Sequence, residues 1–520
     1  MIGELLAGAG VVCAVAAAAA AILIAPSRGR SAAMLVAAFL APALILGDQW
    51  DSSQIVDLRE DRGRLLALGA GAAAAVAALF ALFRRWPLLL PLAAAAALPF
   101  RIPLHAGGDQ ANLLVPLYLV IAAGVAAAVA RDWKIQAAAA AGAAGPEVWL
   151  RRLLAAFVVL YGVGVLYSED FSQGLQNVCF FLAPFSLLFA LLVEVRWDRR
   201  LVAWILAVVV AEALVFALIG FVEYASRELL WNNAVIRSNE FHVYFRVNSL
   251  FWDPNVYGRY MALAIVLVVA ALVWTRQRRT GLALAGAAVL IWLGLATTFS
   301  QSSFAALLAG LAVLAALRWS LHWAALVCGI GVVLAAGIAL AAGESLDVDL
   351  STDNKVNRET GGRANLVSGG LELFGERPLL GYGSGSFSTA FRESVADEDP
   401  PVSESHTEPV TVAAEQGVIG VAVYAALLVV ALATLWQRMR ETMPGLSRGP
   451  PEAAGWATVA RAAVLAAFVA LVVHTMAYAG FFEDPITWVL LAAGISLAGS
   501  TGPRAAGTAD SAADQVRAAA

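Results

Sequence analysis

Histidine, arginine and glycine at a few positions set the chemistry this sequence could perform. The stretch RPLLGYGSGSF (377–387) alternates Gly381, Gly383 and Gly385 with Tyr382 and Ser384. Glycines in such a run permit φ > 0 and let successive backbone amides converge, which suits either an anion or a tight turn packed on helix ends. Downstream, SHTEPVTVAAEQGVIGVAVY (405–424) places His406 just ahead of an apolar run, with Glu415, Gly417 and Gly420 inside it. Upstream, Arg363 lies in GRANLVSGGLELF (362–374), where Leu366, Gly370, Leu371 and Phe374 recur at helical spacing and predict a short amphipathic helix. Further back, YFRVNSLFWDPNVYGRYMAL (244–263) presents Arg246, Asn248, Asp253, Asn255 and Arg259 at the entrance to another apolar run.

These residue types fit one kind of reaction. Arginine is permanently charged and offers a planar fork of donors to phosphate oxygens. Histidine has the side-chain pKa nearest neutrality and can take a proton from a hydroxyl. Together they suit transfer to a hydroxyl with a pyrophosphate leaving group, and no metal is needed where arginines neutralise the developing charge. A nucleotide site is excluded by pattern. There is no GxxxxGK[ST], and Ser386 stands where the third glycine of GxGxxG would be.

The elements that must position these residues are membrane helices. Of 520 residues, 61% are hydrophobic and 14% charged, with mean hydropathy +0.77. Soluble domains carry roughly 25% charged residues. About fifteen apolar segments recur, near 4–24, 31–47, 65–83, 86–99, 112–130, 152–167, 177–194, 201–222, 257–275, 281–298, 303–318, 323–342, 410–436, 458–479 and 486–499. Those at 31–47, 86–99 and 486–499 are short, so 12 to 15 spans are expected. The fold class is therefore an all-α polytopic membrane protein. One loop parity puts SRGR (27–30), RRW (84–86), RDWK (131–134), RWDRR (196–200), TRQRR (275–279) and the 437–450 loop on one side. The positive-inside rule makes that side cytoplasmic. Loops 48–64, 223–256 and 343–409 then face outward, and the largest holds the glycine run and short helices. Cys13, Cys179 and Cys328 all fall in apolar runs, with no metal-type spacing. No basic region precedes the first apolar run, which predicts a retained span rather than a cleaved leader.

The motifs 362–387 and 405–420 resemble the O-antigen ligase and polymerase superfamily of bacterial envelope glycosyltransferases. Its pattern is an Arg, then Pro-x-x-Gly-x-Gly-x-Gly-x-Phe, then His-Asn and Glu-x-Gly-x-x-Gly on the next membrane helix. Here these positions read Arg363, Pro378, Gly381, Gly383, Gly385, Phe387, His406, Glu415, Gly417 and Gly420. RVNSLFWDPNVYG is similar to a second family stretch, and the resemblance spans roughly residues 240–425. It implies a polyprenyl-pyrophosphate-linked glycan donor, and a glycan, lipid or protein hydroxyl as acceptor. It also implies His406 as general base, Arg363 as a pyrophosphate ligand, and no metal or other cofactor. Two positions depart from the pattern: Thr407 follows the histidine, and Gln301 stands where the family has an arginine after Ser300. Gln301 can hydrogen-bond a phosphate without neutralising it, so either Arg246 or Arg259 compensates, or the donor is held differently, or activity is altered.

The expected organisation is N-terminal membrane helices over 1–222, a ligase-like catalytic region over 223–500 and a cytoplasmic tail over 501–520. The expected site is His406 with Arg363, Arg246, Arg259, Gln301, Gly381, Gly383 and Gly385, supported by Glu415 in a mainly structural role. It would work at the outer face of a bacterial cytoplasmic membrane, among membrane lipids and without a nucleic-acid partner. A multi-pass transporter or flippase is the rival reading. Glu212, a carboxylate inside an apolar run, suits it, since an intramembrane charge needs either a partner or a function.

Overall fold

The computed structural model describes residues 2–106, 109–135, 145–230, 235–236, 239, 245–341, 363–394, 405–440 and 455–499. The expected tail at 501–520 and the acidic stretch 343–360 lie outside the described residues, as does the side chain of Arg363. A bilayer core offers no water to backbone groups, so the apolar runs close their hydrogen bonds internally as helices. The first are α1 (Ile2–Leu23), α2 (Arg28–Asp48), α3 (Ser53–Glu60), α4 (Arg62–Arg85) and α5 (Leu89–Ala97). After strands β1 (Ile102–Ala106) and β2 (Asp109–Leu113) come α6 (Val115–Asp132), α7 (Pro146–Val165), α8 (Phe171–Asn177) and α9 (Ala183–Leu192). A π-helical turn, Val178–Leu182, joins α8 to α9. Next are α10 (Arg199–Ser226), α11 (Pro254–Trp274), α12 (Arg278–Ala296), α13 (Gln301–Arg318) and α14 (Leu321–Ala341). The last are α15 (Arg363–Glu376), α16 (Phe387–Ser394), α17 (Glu408–Arg440), α18 (Trp456–Thr475) and α19 (Pro485–Gly499).

Among the described residues, 12 helices are long and apolar enough to cross a membrane. This is the lower end of the expected range, and the difference has local causes. The run at 86–99 yields only α5, nine residues, before the chain turns into the β1–β2 hairpin. The run at 486–499 makes the 15-residue α19. The run at 31–47 is, by contrast, part of a full 21-residue helix. Among the described residues this short hairpin is set into an otherwise helical fold. It is antiparallel, with Ile102 opposite Leu113 and Ala106 opposite Asp109.

Burial ranks the helices. The α8–α9 segment, α11 and α18 have 78%, 67% and 72% of their apolar windows buried, against 0% for α4 and 17% for α12. The first group forms the centre, and the second faces lipid. Helices from both sides of residue 222 share one apolar core, with Phe157 of α7 stacked on Phe482 at 3.6 Å between ring centroids. Small residues bring axes close together; on α13, Gly310 leaves no room for a Cβ beside Val266 of α11. Glu212 of α10 does have a partner, since the Tyr260 hydroxyl donates to its carboxylate at 2.6 Å.

The segment before α17 carries α15, the short helix that the spacing after Arg363 suggested, and a second short helix, α16. It is locked to α17, which is broken at Gly417 (φ 60°, ψ −159°). The break lets the Pro378–Leu380 turn dock against the helix backbone, and the Val418 amide donates to the Pro378 carbonyl at 2.8 Å.

Candidate functional site

Two helix starts build one wall of the site. Asp253 caps α11 by accepting from the amides of Asn255 and Val256, and Pro254 sits at the first helical position, where its missing N–H costs nothing. Ser300 caps α13 by accepting from the Ser303 amide. The two caps meet: the Ser300 hydroxyl donates to Asn255 Oδ1 at 2.8 Å. Arg246 closes the junction, with Nε donating to the Thr298 carbonyl (2.9 Å) and Nη2 to Asn255 Oδ1 (3.1 Å). Its backbone is fixed by the Asn239 side chain, which bonds both its amide and its carbonyl.

One turn into α11, Arg259 is 4% exposed and its Nε lies 3.0 Å from Asp484 Oδ2. Arg259 Nη1 is buried with no hydrogen-bond partner among the described residues. Arg101, just before β1, stands near Asp484, Arg259, Tyr118 and Tyr478. Burial pushes its guanidinium below the ordinary value, Asp484 opposes this, and Arg259 adds to it. One carboxylate thus serves a buried neighbourhood holding two arginines, with Arg246 on the same helix start.

His406 lies at the start of α17, half-buried, with a left-handed backbone (φ 57°). The Ser405 hydroxyl ties this turn together, donating to the Thr407 carbonyl (2.7 Å) and accepting from the Thr407 amide (3.1 Å). The His406 ring is 5.7 Å from that of Tyr478, and Tyr478 is in turn 5.7 Å from His474. His474, fully buried at the end of α18, has Nε2 3.3 Å from both Ser302 Oγ and Ser303 Oγ of α13. Ring packing from His406 through Tyr478 to His474, and then hydrogen bonds from His474, therefore lead to the arginine-bearing helix junction. Glu408 holds the connecting loop in place, its Oε2 accepting from the amides of Gly480 (2.8 Å) and Phe481 (2.9 Å).

The other expected site residues are placed as follows. Gln301 opens α13 with its side chain exposed, and its neighbours Ser300, Ser302 and Ser303 take the buried polar contacts. Arg363 opens α15. Glu415 accepts from the Phe387 amide at 3.2 Å, so it caps α16, which agrees with a structural role.

The glycine run requires a correction. Gly381, Gly383 and Gly385 have φ of 68°, 98° and 84°, as an amide cradle would allow. The amides of residues 381–384 are nevertheless already used. Gly381 donates to Arg377, Tyr382 to Ala414 (2.9 Å), Gly383 to Glu415 (2.9 Å) and Ser384 to Gly164 (3.2 Å), all carbonyls of the chain. A Cβ at Gly383 would strike the Ser168 backbone. Gly381 and Gly383 let this loop press against α7 and α17, and their amides serve that packing rather than an anion.

Asp484, His474, Tyr478, Glu408 and Arg101 escaped the sequence reading. Asp484-Pro485 repeats the Asp-Pro of 253–254, and Asp484 Oδ1 likewise accepts an early amide of its helix, from Ile486 at 2.8 Å. That parallel was the available signal. Residues 286–425, from α12 through the break in α17, match the family model described as O-antigen ligase. The resemblance to the O-antigen ligase superfamily is supported over this segment. No curated protein matches the chain. The ligase segment contains Gln301, Arg363, the glycine run, His406 and Glu415. Arg246, Arg259, Arg101, His474 and Asp484 come to it from flanking sequence.

Proposed function

We propose that the chain is a glycosyltransferase that moves a glycan from a polyprenyl-pyrophosphate carrier to an acceptor hydroxyl at the outer face of a bacterial cytoplasmic membrane. The pyrophosphate rests on Arg246, Arg259 and Arg363, with Gln301 offering a neutral hydrogen bond. His406 takes the proton of the acceptor hydroxyl. The hydroxyl oxygen bonds to the anomeric carbon while the carbon–oxygen bond to pyrophosphate breaks. Attack opposite the leaving group inverts that centre, and polyprenyl pyrophosphate departs. Arginine charge takes the place a metal would otherwise fill.

The observation that carries this reading is the state of Arg259. A nearly fully buried guanidinium retains a nitrogen with no partner among the described residues, and the nearest carboxylate is shared with a second arginine. An unsatisfied buried donor of that charge is costly, and an anion removes the cost. The ligase segment supplies the reaction class. The test is a paired assay of wild type and His406→Ala with polyprenyl-pyrophosphate glycan and candidate acceptors in EDTA, scored for free carrier and product size. Transfer by the wild type alone supports the mechanism, and equal transfer by both removes His406 from it. A ladder of products marks a polymerase, and a single addition marks a ligase.

A further inference from the structure

A cavity of about 60 Å³ lies between α7, α8, the first turns of α17 and the 479–483 loop. Its character is opposite to that of the arginine wall. Three carboxylates line it, Glu408, Glu415 and Glu483, together with the amides of Gln173, Asn177 and Gln416, and none of its lining side chains is Lys, Arg or His. Gly385 and Gly480 bring backbone to its edge. The amides are already ordered: Gln173 Nε2 donates to Asn177 Oδ1 (3.0 Å), and Asn177 Nδ2 donates to the Tyr161 hydroxyl (2.8 Å). Gln416 differs. It is 2% exposed, and its Oε1 has no hydrogen-bond partner among the described residues.

A buried amide oxygen without a donor costs free energy unless something in the cavity supplies one. A wall rich in carboxylates repels phosphate, so the anion end of a lipid-linked donor does not belong here. What fits is a ligand with several hydroxyl donors and no negative charge. A cavity of this size takes a few waters, or the hydroxyl edge of one sugar ring in their place.

We propose that this cavity is a saccharide subsite, which binds the hydroxyl edge of a neutral or amino sugar through Gln416, Asn177 and the carboxylate wall. Glycan and pyrophosphate are thereby sorted to separate walls, one of carboxylates and amides and one of arginines. The assignment of the sugar as part of the glycan being transferred rests on the glycosyltransferase reading, whereas sugar binding itself does not.

The test uses the full chain in a detergent without a sugar headgroup and reads thermal unfolding with glucose, N-acetylglucosamine, glucosamine or inorganic pyrophosphate added at millimolar concentration. The expected result is a rise in midpoint with at least one sugar. Gln416→Leu should weaken that binding about tenfold, the factor one buried hydrogen bond carries, while the response to pyrophosphate is kept. Glu483→Gln keeps the shape, serves if Gln416→Leu fails to fold, and should weaken glucosamine most. No response to any sugar, as expected of a cavity that holds water only, overturns the proposal. So does a sugar response unchanged in both variants. A sugar response without a pyrophosphate response upholds the subsite and counts against the arginine site instead.

Discussion

Arg259 Nε stands 3.0 Å from Asp484 Oδ2, both side chains about 5% exposed, and the pair joins α11 to the start of α19. The contact ties a buried guanidinium with an unpartnered nitrogen to a residue outside both motifs that first drew attention. Removing one partner of a buried pair typically costs about 3–5 kcal/mol, because the other charge is left uncompensated. Asp484→Ala should lower thermal stability by that order. In Asp484→Asn, which keeps the cap on Ile486, transfer should fall while the fold survives. Circular dichroism melts beside turnover separate the two effects.

Arg246 and Arg259 are expected to differ from lysine in kind. Arg246 spans two acceptors, the Thr298 carbonyl and Asn255 Oδ1, from separate guanidinium nitrogens. A lysine has one ammonium and cannot hold both with the same geometry. Arg246→Lys should therefore weaken carrier binding, read as a raised KM for the lipid-linked donor. Removing the His406 ring should instead lower kcat by about 10²–10⁴-fold, the usual contribution of a general base, with donor binding nearly intact.

The glycine run offers a contrast that needs no substrate. Gly383 has φ 98°, and a Cβ there would meet the Ser168 backbone, so Gly383→Ala carries both strain and overlap. Each of these costs about 1–3 kcal/mol. Gly375, on helix α15, has nothing within 4 Å of where its Cβ would stand. Gly375→Ala should stabilise by roughly 0.4–1 kcal/mol through the unfolded chain. Opposite shifts in melting temperature are expected, and a neutral Gly383→Ala would contradict the packing role.

Tyr382 gives the loop a titration signature. Its hydroxyl donates to Glu376, and this bond, with burial and the carboxylate charge, pushes its pKa up to about 12. The folded pKa lies above the unfolded value of roughly 10, so the bond contributes fully below pH 10 and is lost as pH rises through 12. The stability difference between wild type and Tyr382→Phe should be constant below about pH 10 and shrink above it.

Gln301 opens α13 with an exposed side chain. Gln301→Arg, which restores the family residue, places a cation at a helix N-terminus, at a cost of about 0.3–1 kcal/mol. The fold should tolerate it. A gain in transfer would show that the glutamine limits the proposed reaction, and unchanged transfer would show that Arg246 and Arg259 already supply the charge.

Local chemistry was legible from the chain alone. Hydropathy and loop charge gave the membrane helices, because crossing a bilayer constrains each segment by itself. Asp253-Pro254 and Ser300 announced helix starts, since caps act within a turn, and the amphipathic spacing after Arg363 announced α15. His406 and the arginines stood out by type. What tertiary structure decided is which groups meet. Arg259 and Asp484 are 225 positions apart in sequence, and nothing local pairs them. His406 and His474 face a common Tyr478 only because Glu408 holds the 480–481 amides. The glycine run shows the limit most clearly. Its sequence permits an amide cradle or a packed turn equally, since both need φ > 0. Only the carbonyls of Ala414, Glu415 and Gly164, brought up by α17 and α7, determine that the amides of Tyr382, Gly383 and Ser384 are spent on the protein itself.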